Sequence, residues 1–257
     1  MDIKKIGLQL YEAEKTAGKI EKLSVTYPEI TVDDAYKIQL AAVDEKVKDG
    51  QVIVGKKIGL TNFAMQKALG ISEPDYGHIL SSNMAEQDVA LDLSDMVQPQ
   101  IESELAFVLG EDIKGPGVTA AQVMAATKGI IPAFEIVDSR YSDMKITLQD
   151  TIADNASCAK VILGSRMIPI DGLDLRTIGL VLEKNGLVLD TAASATVLGN
   201  PANAVAWLAN KIAAYGISLK AGEIIMSGSF TNVYKIEKGD NFMAHFGGVG
   251  SVKVSFK

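Results

Sequence analysis

The sequence predicts an α+β protein with a mostly antiparallel or mixed sheet system. Three observations carry this expectation. Two N-terminal segments repeat apolar residues at helical spacing, nearly everything after residue 50 reads as short strands between turn signals, and the later helices do not alternate regularly with strands. Regular alternation would instead favour a doubly wound parallel sheet. A chain of 257 residues can bury a full core, and the change of character near residue 50 divides it into a helical section, 1–50, and a mixed β domain, 51–257.

The elements follow in chain order. Ile3, Ile6 and Leu10 recur as on one helix face. In "TVDDAYKIQLAAVDEKVKDG", Thr31 can cap a second helix, Val32, Tyr36, Leu40, Val43 and Val47 line one face, and Gly50 supplies a stop. "QVIVGKKIGL" reads as a strand, "TNFAMQKALG" as a short helix capped by Thr61 and ended by Gly70, and "SEPDYGHIL" as a loop or turn. Ile101 to Leu109 is a buried strand bounded by Pro99 and Gly110, and "IIPAFEIVDSR" is a second strand-like run. Helices are expected over 119–128 and 201–215, the latter with Asn200 as cap, Pro201 at its first position and Gly216 beyond its end. "IGLVLEKNGLVLDT" carries the Asn-Gly hairpin signal, and "NFMAHFGGVGSVKVSF" reads as a closing hairpin. The glycines of "FGGVGS" lie between strands and open no helix, so they read as a turn rather than a phosphate loop.

Composition narrows the function. Hydrophobic residues make up 47% and charged residues 22%, which excludes disorder, and no apolar run approaches the length of a membrane span. The N-terminus lacks the apolar core of a signal peptide, so a cytoplasmic protein is expected. Cys158 is the sole cysteine and reads as a small packed residue rather than a nucleophile. A net charge of -7 with dispersed lysines offers no basic stripe for nucleic acid, so a small-molecule partner is expected.

Two glutamates interrupt the apolar run in "QPQIESELAFVLGED". On a strand, Glu102, Glu104, Ala106 and Val108 point one way, and Ile101, Ser103, Leu105, Phe107 and Leu109 the other. Carboxylates two residues apart stand roughly 6.6 Å from each other and repel by about 2–3 kcal/mol at an effective dielectric of ~20. A strand with one wet face would accommodate them, and so would a shared cation if a third ligand existed. Glu135, inside the second apolar run, is the outstanding candidate, although Arg140 five residues on offers it a plain salt bridge. Three glutamates would make an all-oxygen site suited to Mg2+ or Mn2+, and the presence of only two histidines, His78 and His245, argues against zinc.

Other candidates are weaker singly. In "GKKIGL" adjacent lysines face opposite ways, so one of Lys56 and Lys57 should point inward, which is costly unless it is paired. Asp75 and Tyr76 offer a carboxylate and a phenol. Ser157 of "DNAS" and Ser229 of "SGS" offer hydroxyls near backbone amides.

Several motifs in fixed order, "GKKIGLT", "MQKALGISEPDYG", "QPQIESELAFVL", "GPGVT", "IPAFEIVDSR", "LQDTIADNAS", "EKNG", "AWLAN" and "LKAGEIIMSGS", span nearly the whole chain. Together they resemble the hydratase and decarboxylase branch of the fumarylacetoacetate hydrolase superfamily. The resemblance implies a mixed β-sandwich or roll carrying the catalytic residues, and a divalent metal, Mg2+ or Mn2+, at positions matching Glu102, Glu104 and Glu135. It places Lys57 and Asp75 at the active site, with Ser157 and Ser229 as substrate contacts.

The activity it implies is hydration of 2-hydroxypenta-2,4-dienoate, a 2-oxo acid tautomer, in meta-cleavage catabolism of aromatic compounds. It further implies a cytoplasmic homo-oligomer that can associate with other enzymes of that route. Decarboxylation of 4-oxalocrotonate at the same ligands is the alternative within the branch. A non-catalytic partner subunit keeping the fold is a third reading, and the intact carboxylates argue against it.

Overall fold

The computed structural model describes residues 1–142 and 146–257. Helices α1 (Ile3–Lys15), α2 (Leu23–Thr26) and α3 (Val32–Lys48) come first, then strand β1 (Ile53–Gly59), α4 (Phe63–Leu69), β2 (Asp75–Leu80), β3 (Met84–Ala85) and β4 (Gln100–Leu109). There follow α5 (Ala120–Ala126), β5 (Thr127–Val137), α6 (Leu148–Ala153), β6 (Cys158–Leu163) and the pair β7 (Gly179–Lys184) and β8 (Leu187–Ala193). Helix α7 (Pro201–Ala213) and strands β9 (Ile224–Met226), β10 (Tyr234–Lys235), β11 (Asn241–Phe246) and β12 (Gly250–Ser255) complete the chain.

The larger sheet runs β2-β1-β9-β4-β5-β6-β3, with β10 paired to β4, and mixes parallel pairs (β1 with β9, β3 with β6) with antiparallel ones. The smaller sheet, β12-β11-β7-β8, is antiparallel throughout. This is the α+β, mixed-sheet layout expected. Most apolar side chains form one core that joins α1 and α3 (Ile6, Leu10, Tyr36, Ile38) to both sheets (Leu105, Phe107, Leu182, Phe242). A smaller cluster, Ile79, Ala106, Ala133, Cys158, Val161 and Met226, occupies the opposite face of the large sheet. The Cys158 thiol is fully buried there and burial pushes its pKa up, which suits a packing residue.

Local signals place most elements. Thr31 and Asp34 form a reciprocal capping box on α3, Asn200 caps α7 with Pro201 in its first turn, and Asn185 and Gly186 take positive φ in the β7–β8 turn. Three expectations need correction. The buried face of α3 is Ala35, Tyr36, Ile38, Gln39, Ala42, Val43 and Lys46, while Val47 is exposed. Polar Gln39 and Lys46 can be buried because each has partners: the Gln39 amide donates to the Tyr76 and Ile152 carbonyls at 2.8 Å, and Lys46 pairs with Glu14. Helix α4 is capped by Asn62, which accepts from the Ala64 and Met65 amides, and not by Thr61. "PDYGHIL" is strand β2 rather than a loop, and Gly77 within it has the backbone of Asn155 against its Cα, leaving no room for a side chain.

Candidate metal centre

Antiparallel pairing of β4 with β5 sets Glu102 directly opposite Glu135 and Glu104 opposite Ala133. Alternation then turns Glu102, Glu104 and Glu135 to one face, the face of Ala106 and Ala133 in the smaller apolar cluster. One carboxylate oxygen from each of the three lies within 4.8 Å of the others. Like charges directly opposite on neighbouring strands are destabilising, and here Glu104 and Glu135 are wholly buried.

The hydrogen bonds do not relieve this. The Gly228 amide donates to Glu104 Oε2 at 2.7 Å, but Glu104 Oε1 and both oxygens of Glu135 have no hydrogen-bond partner among the described residues. Burial raises the pKa of all three: Glu102 is lifted further by Asp75, Glu104 by Glu135 and Glu102, and Glu135 is pushed up to about 7 by burial and the Glu102 charge against the pull of Lys57. Three convergent, under-partnered oxygen donors fit a hard divalent cation.

Among the described residues, Lys57 is the cation paired with this cluster. Its Nζ stands 3.4 Å from Glu135 Oε1 and donates to the Ala156 carbonyl at 3.0 Å. Burial opposes the ammonium, but Glu135, Asp75, Glu102 and Glu104 outweigh it and hold the pKa above the usual lysine value. Lys56, expected at the surface if Lys57 points inward, is buried as well, on the opposite face, where Glu223 binds it at 2.6 Å. Arg140 does not pair with Glu135: its guanidinium binds Asp154 at 2.5 Å and the Asp154 carbonyl at 2.7 Å.

Asp75 begins β2 opposite Gly59. Its Oδ2 accepts from Thr151 at 3.2 Å, its Oδ1 has no hydrogen-bond partner among the described residues, and burial raises its pKa although Lys57 pulls the other way. Gly59 is required here, because a Cβ at that position would overlap the Asp75 carboxylate and crowd Lys57 Nζ.

The two serines stand beside groups that touch the site. Ser157 follows Ala156, and its buried hydroxyl has no hydrogen-bond partner among the described residues. Ser229 follows Gly228, but its hydroxyl donates to the Thr231 carbonyl at 3.0 Å, inside its own loop. Ser103 points to the other face and is buried, with its backbone carbonyl accepting from Phe230.

Sequence reasoning missed the backbone groups, the Gly228 amide and the Ala156 carbonyl, since no side chain advertises them. It also missed that Asn155, Ala156 and Ser157 all take positive φ, at 53°, 50° and 57°. Left-handed backbone costs non-glycine residues roughly 1–2 kcal/mol each, and such strain persists only where the surroundings over-determine it.

Comparison with known proteins bears on this geometry. The chain is 44% identical over 257 residues to 2-oxo-hept-4-ene-1,7-dioate hydratase of Escherichia coli, covering 98% of this chain and 96% of that one. It is 43% identical to 2-hydroxypent-2,4-dienoate hydratase of Pseudomonas putida over 84% of this chain and 98% of that one. The structure of 4-oxalocrotonate decarboxylase from Pseudomonas putida G7, complexed with magnesium and adipate, matches it with a TM-score of 0.96 and 36% identity, covering 99% of this chain and 97% of that chain. Residues 76–257, which hold β2 from its second residue on, all three glutamates and the 155–157 turn, match the fumarylacetoacetate (FAA) hydrolase C-terminal family, and with full-length relatives at over 40% identity the chain belongs to the fumarylacetoacetate hydrolase family.

Proposed function

We propose that this protein is a metal-dependent hydro-lyase that converts 2-hydroxypenta-2,4-dienoate to 4-hydroxy-2-oxopentanoate. The observation that carries the reading is the convergence of Glu102, Glu104 and Glu135 beside Lys57 on one sheet face, in a chain whose full-length relatives include hydratases of 2-hydroxydienoates. The three glutamates would hold the divalent cation, Mg2+ or Mn2+. When bound, that cation supplies a Lewis acid for the carboxylate and 2-oxo oxygens of the substrate.

The reaction needs two proton placements and one addition. A proton leaves the 2-hydroxyl and one arrives at C5, giving a conjugated 2-oxo-3-enoate; hydroxide from water then adds at C4 and a proton at C3. Lys57, kept cationic by its carboxylate neighbours, binds the substrate anion or donates a proton to it. Asp75, whose pKa burial raises against the pull of Lys57, transfers a proton or orients the attacking water. The Ser157 hydroxyl, without a hydrogen-bond partner among the described residues, is a substrate contact; Ser229 would have to give up its bond to Thr231 to act as one.

Decarboxylation of 4-oxalocrotonate is the second reading, favoured by the near-complete structural match to that decarboxylase. One assay separates them. The purified protein with Mg2+ is incubated with 2-hydroxypentadienoate and, separately, with 4-oxalocrotonate, and products and CO2 are followed. Hydration of the first without CO2 from the second is the expected result; CO2 release from the second with no hydration of the first would overturn it.

A further inference from the structure

We infer that Asn155 is a positioning residue that fixes the Lys57 ammonium through the left-handed turn 155–157. This rests on the proposed role of Lys57. Asn155 is almost fully buried, and its side chain clamps the backbone of β2: the His78 N–H donates to Oδ1 at 2.7 Å, and Nδ2 donates to the His78 carbonyl at 2.8 Å. The main chain of Asn155 lies against Gly77, so turn and strand are in contact along both backbone and side chain. One residue later, the Ala156 carbonyl receives the Lys57 ammonium, and Gly77 is the register partner of Lys57 across β1 and β2.

The turn is also tied at both ends. Before it, the Arg140 N–H and guanidinium grip Asp154 through both carboxylate oxygens and its carbonyl. After it, the Asp138 N–H donates to the Ser157 carbonyl at 2.8 Å. These ties hold three non-glycine residues at positive φ, and in that conformation the Ala156 carbonyl faces Lys57 while the Ser157 hydroxyl has no hydrogen-bond partner among the described residues. Without the Asn155 clamp the turn can relax toward ordinary φ, releasing the acceptor that sets where Nζ stands.

Asn83 provides a matched control. It is equally buried and also bridges β2 and β6, accepting from Leu80 N–H at 2.8 Å and donating to the Ala159 carbonyl at 2.8 Å, with both partners outside the turn. The test compares Asn155→Gly, which keeps the freedom for positive φ and loses both clamp bonds, with Asn83→Ala, each alone and each with Lys57→Met, in the Mg2+-loaded protein. Asn155→Gly is expected to lower kcat about tenfold or more with KM and Mg2+ affinity little changed, because it misplaces a group used in the transition state. Asn83→Ala is expected to lower the melting temperature comparably and leave kcat alone.

In the Lys57→Met background Asn155→Gly should cost nothing further in kcat, as expected of residues acting as one unit. Asn155→Asp, which keeps the acceptor and loses the donor, should fall between wild type and Asn155→Gly, and it carries the test if the glycine variant does not fold. Oxalate, which mimics the enolate of a 2-oxo acid, gives a readout independent of turnover: Asn155→Gly should weaken its binding and Asn83→Ala should not. Equal kcat losses in Asn155→Gly and Asn83→Ala, or full additivity with an impaired Lys57→Met, would overturn the inference alone. Full activity of Lys57→Met by itself would overturn the role of Lys57 and the inference with it.

Discussion

Glu104 gives one oxygen to the Gly228 amide and leaves the other without a hydrogen-bond partner among the described residues, although the residue is completely buried beside two other carboxylates. In Glu104→Gln the amide oxygen can still accept from Gly228 while one of three repelling charges disappears, so the protein should remain folded. Its affinity for Mn2+ is expected to fall by about 100-fold or more, and activity should be lost in the same step, because a neutral amide oxygen is a poor substitute for a carboxylate at a hard cation. Calorimetric Mn2+ titration beside a circular dichroism melt makes the measurement. Unchanged metal affinity would remove Glu104 from the ligand set, and full wild-type activity after exhaustive chelation would remove the metal from the reaction.

At the scale of elements, β1 places consecutive lysines on opposite faces of the sheet, and each is held by a carboxylate from another strand or loop. Lys56 depends on Glu223, just ahead of β9, which also accepts from the Lys220 amide at 2.9 Å. Glu223→Ala would strand the ammonium in the core side of the β1–β9 pair, and removing one partner of a buried ion pair costs about 3–5 kcal/mol. Urea denaturation at pH 7 should show a loss of that order, largely recovered when Lys56→Met is added; a loss below about 1 kcal/mol would mean that water reaches Lys56.

The same strands show what the sequence made legible. Alternation alone put Glu102 and Glu104 on one face, and the apolar run around Glu135 marked its strand, because the two-residue period of a strand is visible wherever one face is apolar. Burial of both lysines was hidden, since the second partner, Glu223, lies 167 residues away. Strand β2 was hidden because Pro74, Asp75 and Gly77 are turn formers, and only the approach of Asn155 explains a glycine there. The left-handed turn carried little signal: Asn155 tolerates positive φ, but Ala156 and Ser157 do not advertise it, and tertiary bonds from Arg140 and His78 hold the conformation.

For the whole molecule, these buried groups set how stability responds to pH. Glu135 holds its proton to about 7, against 4.5 for an ordinary glutamate, and Glu102, Glu104 and Asp75 are raised as well. A folded state that keeps protons longer than the unfolded chain is favoured at low pH, so the Glu135 contribution is complete below the ordinary carboxylate range and is lost between there and about 7, at on the order of 1.4 kcal/mol per pH unit, and the other three carboxyls act in the same direction. His78 works oppositely. Burial, with Lys56 and Lys46 nearby, pushes it down to about 3 from 6.5, so its contribution is complete above 6.5 and is lost as pH falls toward 3.

Between those limits the two effects compete, but above pH 6.5 the His78 contribution is complete while Glu135 still gives up its proton as pH passes about 7. The metal-free protein should therefore melt at a lower temperature at pH 8 than at 6.5. A divalent cation reverses that loss, because it binds the ionised carboxylates that protons otherwise occupy, and a ligand selective for the folded state stabilises it in proportion to its occupancy. The rise in melting temperature caused by Mn2+ should be large at pH 8 and small at pH 5.5, and Glu104→Gln should remove most of it at both. Equal shifts at the two pH values would show that the cation binds somewhere other than the three glutamates.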